Sequence, residues 1–292
     1  VRGHPLSAPL KLAAFAALLV VLASGGALAG GAVDPDRAEP AAAAEGSHAE
    51  EKAAPHGGAE KAPRPVRGLA IAEDGLRVVV DEPELERGRT EDLRFRIVDD
   101  RGETVRDFDV EHEKRMHLIV ARRDLTGFQH LHPEQQDDGS WSVPVRLDDA
   151  GSYRVFADFS YEDEPHTLAS DLRVDGRADL QPLPAPATTA VSDGGYDVEL
   201  NAGDANPGEE SELRFTITKD GRPVANEPYL GAGGHLVALR ENDLAFLHVH
   251  PTDDENPIAF AATFPTEGRY RLFLQFKVDG RVETVAFTQE VK

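Results

Sequence analysis

The sequence predicts an all-β chain: two tandem β-sandwich domains behind an N-terminal apolar helix and a disordered tether. Three features predict it. Short runs of alternating apolar and polar residues, rich in β-branched and aromatic side chains, are separated by Gly, Asp, Asn and Pro. The chain repeats itself at offsets of 117 to 120 residues. Downstream of residue 68 no stretch has the periodicity of an amphipathic helix. A length of 292 residues is ample for two modest cores.

Residues 1–29 have the layout of a secretory signal peptide. Arg2 and Lys11 precede the apolar run 12–23, and Ala27-x-Ala29 supplies the small residues of a cleavage site. An uncleaved membrane anchor is the alternative, because residues 12–33 are uncharged and about 20 apolar residues suffice to span a bilayer. Either way the positive flank stays inside and the rest is extracytoplasmic, secreted or anchored to the cell membrane by that segment alone. Residues 30–68 are rich in Ala, Pro and Glu and almost free of large apolar side chains, so they read as a tether, with His48 and His56 solvated in it.

Composition narrows the partners. Lys and Arg total 31 against 53 Asp and Glu, a net charge of -22 that repels nucleic acid and anionic membranes and attracts cations. With no Cys, the chain has no disulfide, thiol nucleophile or thiolate metal site, so any metal must be held by nitrogen and oxygen.

The first domain, 69–176, is read from "LRVVVD" (76–81), "DLRFRIVD" (92–99), "MHLIVAR" (116–122), "SWSVPVRL" (140–147) and "SYRVFADF" (152–159). A Pro-rich linker, 177–190, follows, and the second domain, 191–292, repeats the first in order. "DLRFRIVDDRGE" (92–103) returns as "ELRFTITKDGRP" (212–223), "HLIVARRDLTGFQHLHP" (117–133) as "HLVALRENDLAFLHVHP" (235–251), and "GSYRVFADF" (151–159) as "GRYRLFLQF" (268–276). A duplicated unit of about 105 residues suits an immunoglobulin-like sandwich. Trp141, Tyr153, Phe156, Tyr270 and Phe273 are expected in the sandwich cores.

Each copy carries the same histidines. His117, His130 and His132 in the first are matched by His235, His248 and His250 in the second, with separations of 13 and 2 residues in both. On a strand, residues two apart share a face about 7 Å apart, so His130 and His132 point one way. If the intervening segment is a hairpin closing near residue 124, His117 lies opposite one of them, with Cβ atoms about 5 Å apart. Three converging imidazoles without a thiolate suit copper or zinc. His166 and its counterpart Glu283 are candidates for a fourth ligand; Met116 faces the other side of the strand.

The competing reading is structural. The histidine face also carries Ile119 and Phe128, or Val237 and Phe246, so all six could be half-buried residues bonded to backbone carbonyls, with Pro133 and Pro251 ending the strand. Arg122 and Arg240 are expected to pair with neighbouring acids, and His112, which has no counterpart, to be a solvated loop residue.

The two histidine hairpins resemble the immunoglobulin-type YtkA-like domains of bacterial secreted or membrane-anchored proteins. That resemblance covers residues 69–292 and implies heavy-metal handling by the six histidines. The expectation is an extracytoplasmic, non-enzymatic metal-binding protein, a copper or zinc chaperone or buffer with one three-histidine site per domain, whose partner is an extracytoplasmic metal-transport or envelope protein. A structural or interaction sandwich pair is the alternative. A copper enzyme is third: His-Val-His occurs on the copper-binding strand of copper–zinc superoxide dismutases, but their bridging His and Asp pattern, like HExxH or a nucleophile elbow, is absent from the sequence.

Overall fold

A computed structural model describes residues 66–247, 249–255 and 258–292. The expected leader or anchor, most of the tether, and His248 lie outside them. Among the described residues there is no helix long and apolar enough to cross a membrane.

The alternating segments form strands. The first domain contains β1 (Ala72–Glu73), β2 (Leu76–Val80), β3 (Glu84–Leu85), β4 (Thr90–Val98), β5 (His117–Arg122), β6 (Gln129–Leu131), β7 (Glu134–Gln135), β8 (Trp141–Arg146), β9 (Gly151–Tyr161) and β10 (Glu164–Val174). They make two sheets, β1-β2-β4-β8-β7 and β3-β10-β9-β5-β6. The second domain contains β11 (Thr189–Val191), β12 (Asp197–Asn201), β13 (Glu210–Lys219), β14 (Arg222–Pro223), β15 (His235–Arg240), β16 (Phe246–Leu247), β17 (His250–Glu255), β18 (Ile258–Thr263), β19 (Gly268–Val278) and β20 (Arg281–Val291). Its sheets are β11-β12-β13-β18-β17, with β14 on β13, and β16-β15-β19-β20. Within these sheets each domain keeps the immunoglobulin order of four strands facing three, β2-β4-β8-β7 against β10-β9-β5 and β12-β13-β18-β17 against β20-β19-β15, with further strands at the edges.

Both domains also carry the tyrosine corner of that fold. The buried Tyr153 hydroxyl donates to the Asp149 carbonyl at 2.8 Å, and the Tyr270 hydroxyl to the Thr266 carbonyl at 3.0 Å. Inner faces supply two separate cores. Leu93, Phe95, Trp141, Tyr153 and Phe159 anchor the first, and Phe215, Phe260, Tyr270, Phe276 and Phe287 the second.

A third cluster belongs to neither core. Ile119, Ala121, Phe156 and Ala169 from the β3-β10-β9-β5-β6 sheet pack on Val237, Leu239, Phe246 and Phe273 from the β16-β15-β19-β20 sheet. The outer faces of these sheets are thus pressed together. Phe156 and Phe273, expected in the sandwich cores, sit here instead, because they fall on the outward phase of the β9 and β19 alternation. The packing is reciprocal. Phe128 stacks on Phe273 at 4.0 Å, and their repeat counterparts Phe246 and Phe156 meet at 5.6 Å. Two copies of one surface meeting in this way form an isologous, pseudo-two-fold interface within a single chain.

Candidate metal centre

The β5 sequence HLIVAR is apolar except at its ends and is buried along its whole length. Leu118 and Val120 point into the first core, whereas Ile119 and Ala121 face the other domain. By the same two-residue alternation His117 faces outward with Ile119. β6 returns antiparallel with Ile119 opposite His130, which sets His130 on that face; the register carried one residue past β6 sets His132 opposite His117. The hairpin thus gathers His117, His130 and His132 on one side.

β15 brings His235 to them. It is the repeat counterpart of His117 and occupies the same outward phase, so the face-to-face contact delivers it to the first domain's histidines. Ligand nitrogens of His117, His130 and His235 all lie within 4.8 Å of one another. The His235 ring is 5.5 Å from that of His117 and 4.6 Å from that of His130. The His132 ring is 5.1 Å from His117 and 4.8 Å from His130. The expected grouping of one triad per domain therefore changes: His235 sits with the first triad across the domain boundary. Of its expected partners, His248 is outside the described residues, and His250 lies on β17 of the opposite sheet, paired with Ala261.

His117 Nε2 is 3.1 Å from the Glu111 carbonyl, which can only accept, so Nε2 carries the proton. His130 Nδ1 is 2.7 Å from Gln275 Oε1, and the Gln275 amide nitrogen is 3.2 Å from Thr284 Oγ1; with the amide in this orientation Nδ1 carries the His130 proton. In the neutral rings the other two nitrogens, His117 Nδ1 and His130 Nε2, are then both lone pairs. They face each other at 3.0 Å. His132 Nε2 adds a buried nitrogen with no hydrogen-bond partner.

The rings are held neutral. Burial, above all, lowers His117 to about 4, opposed by the nearby Asp158 carboxylate; it lowers His130 to about 3, helped by His117. His132 falls to about 4 through burial and the neighbouring Lys114, and burial pushes His235 well below the ordinary value. Asp158, directly opposite His117 on β9, is raised by burial while accepting from Thr167 Oγ1 at 2.6 Å. Neutral imidazole is the form that binds metal.

Other residues resolve differently from expectation. His166 lies against Phe159 of the first core at 5.5 Å, on the inner face, and so cannot join an outer-face cluster. Glu283 is cross-strand to Phe276 of the second core and accepts from the Gly194 amide at 2.9 Å. Met116 is in the first core, as strand alternation requires. Arg122 pairs with Asp124 at 2.7 Å and Arg240 with Asp243 at 2.5 Å, as expected of them. His112 is not a solvated loop residue: its ring lies 6.1 Å from His117 and 5.6 Å from His235. Gln275 was missed. Its signal was present in the repeat, where "FADF" and "FLQF" place Asp158 and Gln275 as matching polar residues in the outward phase of β9 and β19.

The fold and this cluster define the class: a tandem immunoglobulin-type β-sandwich protein with a histidine-lined interface between its domains. Residues 70–176 and 189–292 each match the domain of unknown function DUF8832, and the chain belongs to that family. No curated protein matches it. Among solved structures it is similar to the Escherichia coli adhesin FdeC at 16% identity and a TM-score of 0.27, over 76% of this chain and 66% of that one. A Salmonella alpha-2-macroglobulin reacted with methylamine matches at 15% identity and a TM-score of 0.28, over 80% of this chain and 15% of that one. A chimeric titin Z1Z2 tandem matches at 15% identity and a TM-score of 0.21, over 74% of this chain and 99% of that one. Likenesses this low identify no function and no partner.

Proposed function

We propose that the protein is a non-catalytic, extracytoplasmic metal-binding protein, a buffer or chaperone for Cu(II) or Zn(II), with one composite site formed by His117, His130 and His235 and flanked by His132. The observation that carries this reading is the convergence of ligand nitrogens of His117, His130 and His235 within 4.8 Å of one another, with His117 Nδ1 and His130 Nε2 facing each other at 3.0 Å. Two acceptors at 3.0 Å repel unless a cation lies between them. A proton is disfavoured by the burial that lowers both rings, whereas a divalent ion brings its own charge and takes several donors at once. Imidazole nitrogens bind at about 2.0–2.1 Å, so rings sharing an ion have centres about 4.5–6.4 Å apart. The five measured separations among His117, His130 and His235, and of His132 from the first two, run from 4.6 to 5.5 Å. Glu111 O and Gln275 Oε1 hold the outer nitrogens, the usual arrangement for orienting ligating histidines. The resemblance of the hairpins to YtkA-like domains accords with metal handling, and export under residues 1–29 would place the receiving partner in the cell envelope.

Titration of the full chain with Zn(II) or Cu(II), followed calorimetrically, is expected to give about one ion per chain, with uptake lost in His130→Ala and in His235→Ala. A structural tandem is the second reading, favoured by the apolar contact of Ile119, Phe156, Val237 and Phe246 beside the histidines. It predicts no stoichiometric uptake.

A further inference from the structure

The buried donors need a path from solvent, and one turn supplies it. Glu111 N donates to Lys114 O at 2.8 Å and Lys114 N to Glu111 O at 3.0 Å, closing a two-residue hairpin turn with His112 and Glu113 at its centre. Both have positive φ, 48° and 64°. The second domain repeats the turn at Tyr229–Ala232, with Leu230 and Gly231 at φ 55° and 77°. Positive φ at both central positions is a type I′ turn, which favours Asn-Gly; a His-Glu pair is conformationally costly there. Strain of this kind persists where the surrounding structure and a function require the side chain.

The turn also touches the site at two points. Glu111 O fixes the proton of His117, and the His112 ring lies against His117 and His235. His112 is partly exposed, its side chain at 22%, whereas His117 and His130 are buried. Its Nε2 is 3.9 Å from Glu111 Oε1. The exposed Glu113 adds a second carboxylate at the turn, next to Lys114, whose charge acts on His132.

We propose, resting on the metal-binding reading above, that His112 is the exchange ligand of the site: its imidazole replaces a water on the hydrated divalent ion at the protein surface and hands the ion to His117 and His235. No redox change is involved: on capture one metal–water bond breaks as the metal–His112 bond forms, and on transfer the metal–His112 bond and a further metal–water bond break as bonds to His117 and His235 form. Stopped-flow measurement of Zn(II) uptake, and of its release to a chelator, tests this on the full chain. His112→Ala is expected to slow both at least 10-fold while one ion per chain is still bound. The paired change His112→Asn with Glu113→Gly, which suits the turn but lacks the imidazole, is expected to slow them equally. Normal rates in either variant overturn the inference and leave the metal site standing. Failure of the wild-type chain to take up Zn(II) or Cu(II) overturns both.

Discussion

His117 and His130 each place one nitrogen against an oxygen partner and turn the other toward its neighbour, the geometry on which the proposed metal site rests. Gln275 is the residue from the second domain that sets the His130 tautomer. Gln275→Ala is expected to weaken Zn(II) binding by 10- to 100-fold without changing the stoichiometry, read by competition with a chelator. The same burial that frees the lone pairs makes the metal-free protein acid-sensitive. His117, His130 and His132 have folded values near 3 to 4 against about 6.5 when unfolded, so between those limits the unfolded chain binds more protons. Stability is therefore full above about pH 6.5 and falls as pH drops toward 4, with the deeply buried His130 and His117 contributing most. Urea unfolding of the metal-free chain at pH 7 and pH 5 checks this; equal midpoints would show that these rings are not held neutral. At this scale His117, His130 and His132 were legible from spacing alone. Gln275 showed only as the repeat counterpart of Asp158, and His112 joins through the turn just before β5, whose conformation no local periodicity announces.

The strand alternation does two jobs on β5 and β15. One phase fills a sandwich core and the other builds the contact between domains, which is why both strands are apolar throughout their centres. Phe156 is fully buried in that contact, and Phe156→Ala is expected to cost about 3–5 kcal/mol. Combined with Phe246→Ala in a double-mutant cycle, it should show a coupling of about 0.5–1.5 kcal/mol; a coupling of zero would mean the faces do not pack in solution. The tyrosine corners tie β9 and β19 to the preceding loops within each domain. Tyr153→Phe should lose about 0.5–1.5 kcal/mol of stability by urea unfolding, and Tyr270→Phe a similar amount. The tyrosines were recognisable as core residues from sequence. Their hydroxyl bonds depend on the loop at the sheet corner and were not.

Across the whole molecule, duplication followed by face-to-face packing converts two repeated hairpins into one shared cluster. Because His235 and Gln275 come from the second domain and His117, His130 and His132 from the first, metal affinity should depend on the two domains staying docked. Zn(II) is accordingly expected to raise the unfolding temperature of the full chain in a concentration-dependent way, and not to do so in His235→Ala. The sequence by itself determined the strands, the tandem repeat, the immunoglobulin-type size of each domain and the convergence of His117, His130 and His132, because all of these follow from local alternation and from the chain's similarity to itself. Only the tertiary structure decided that the histidine face of one domain would meet the same face of the other. An apolar strand face carries no address for what will cover it, and here the covering surface, 117 to 120 residues away in the chain, is its own copy.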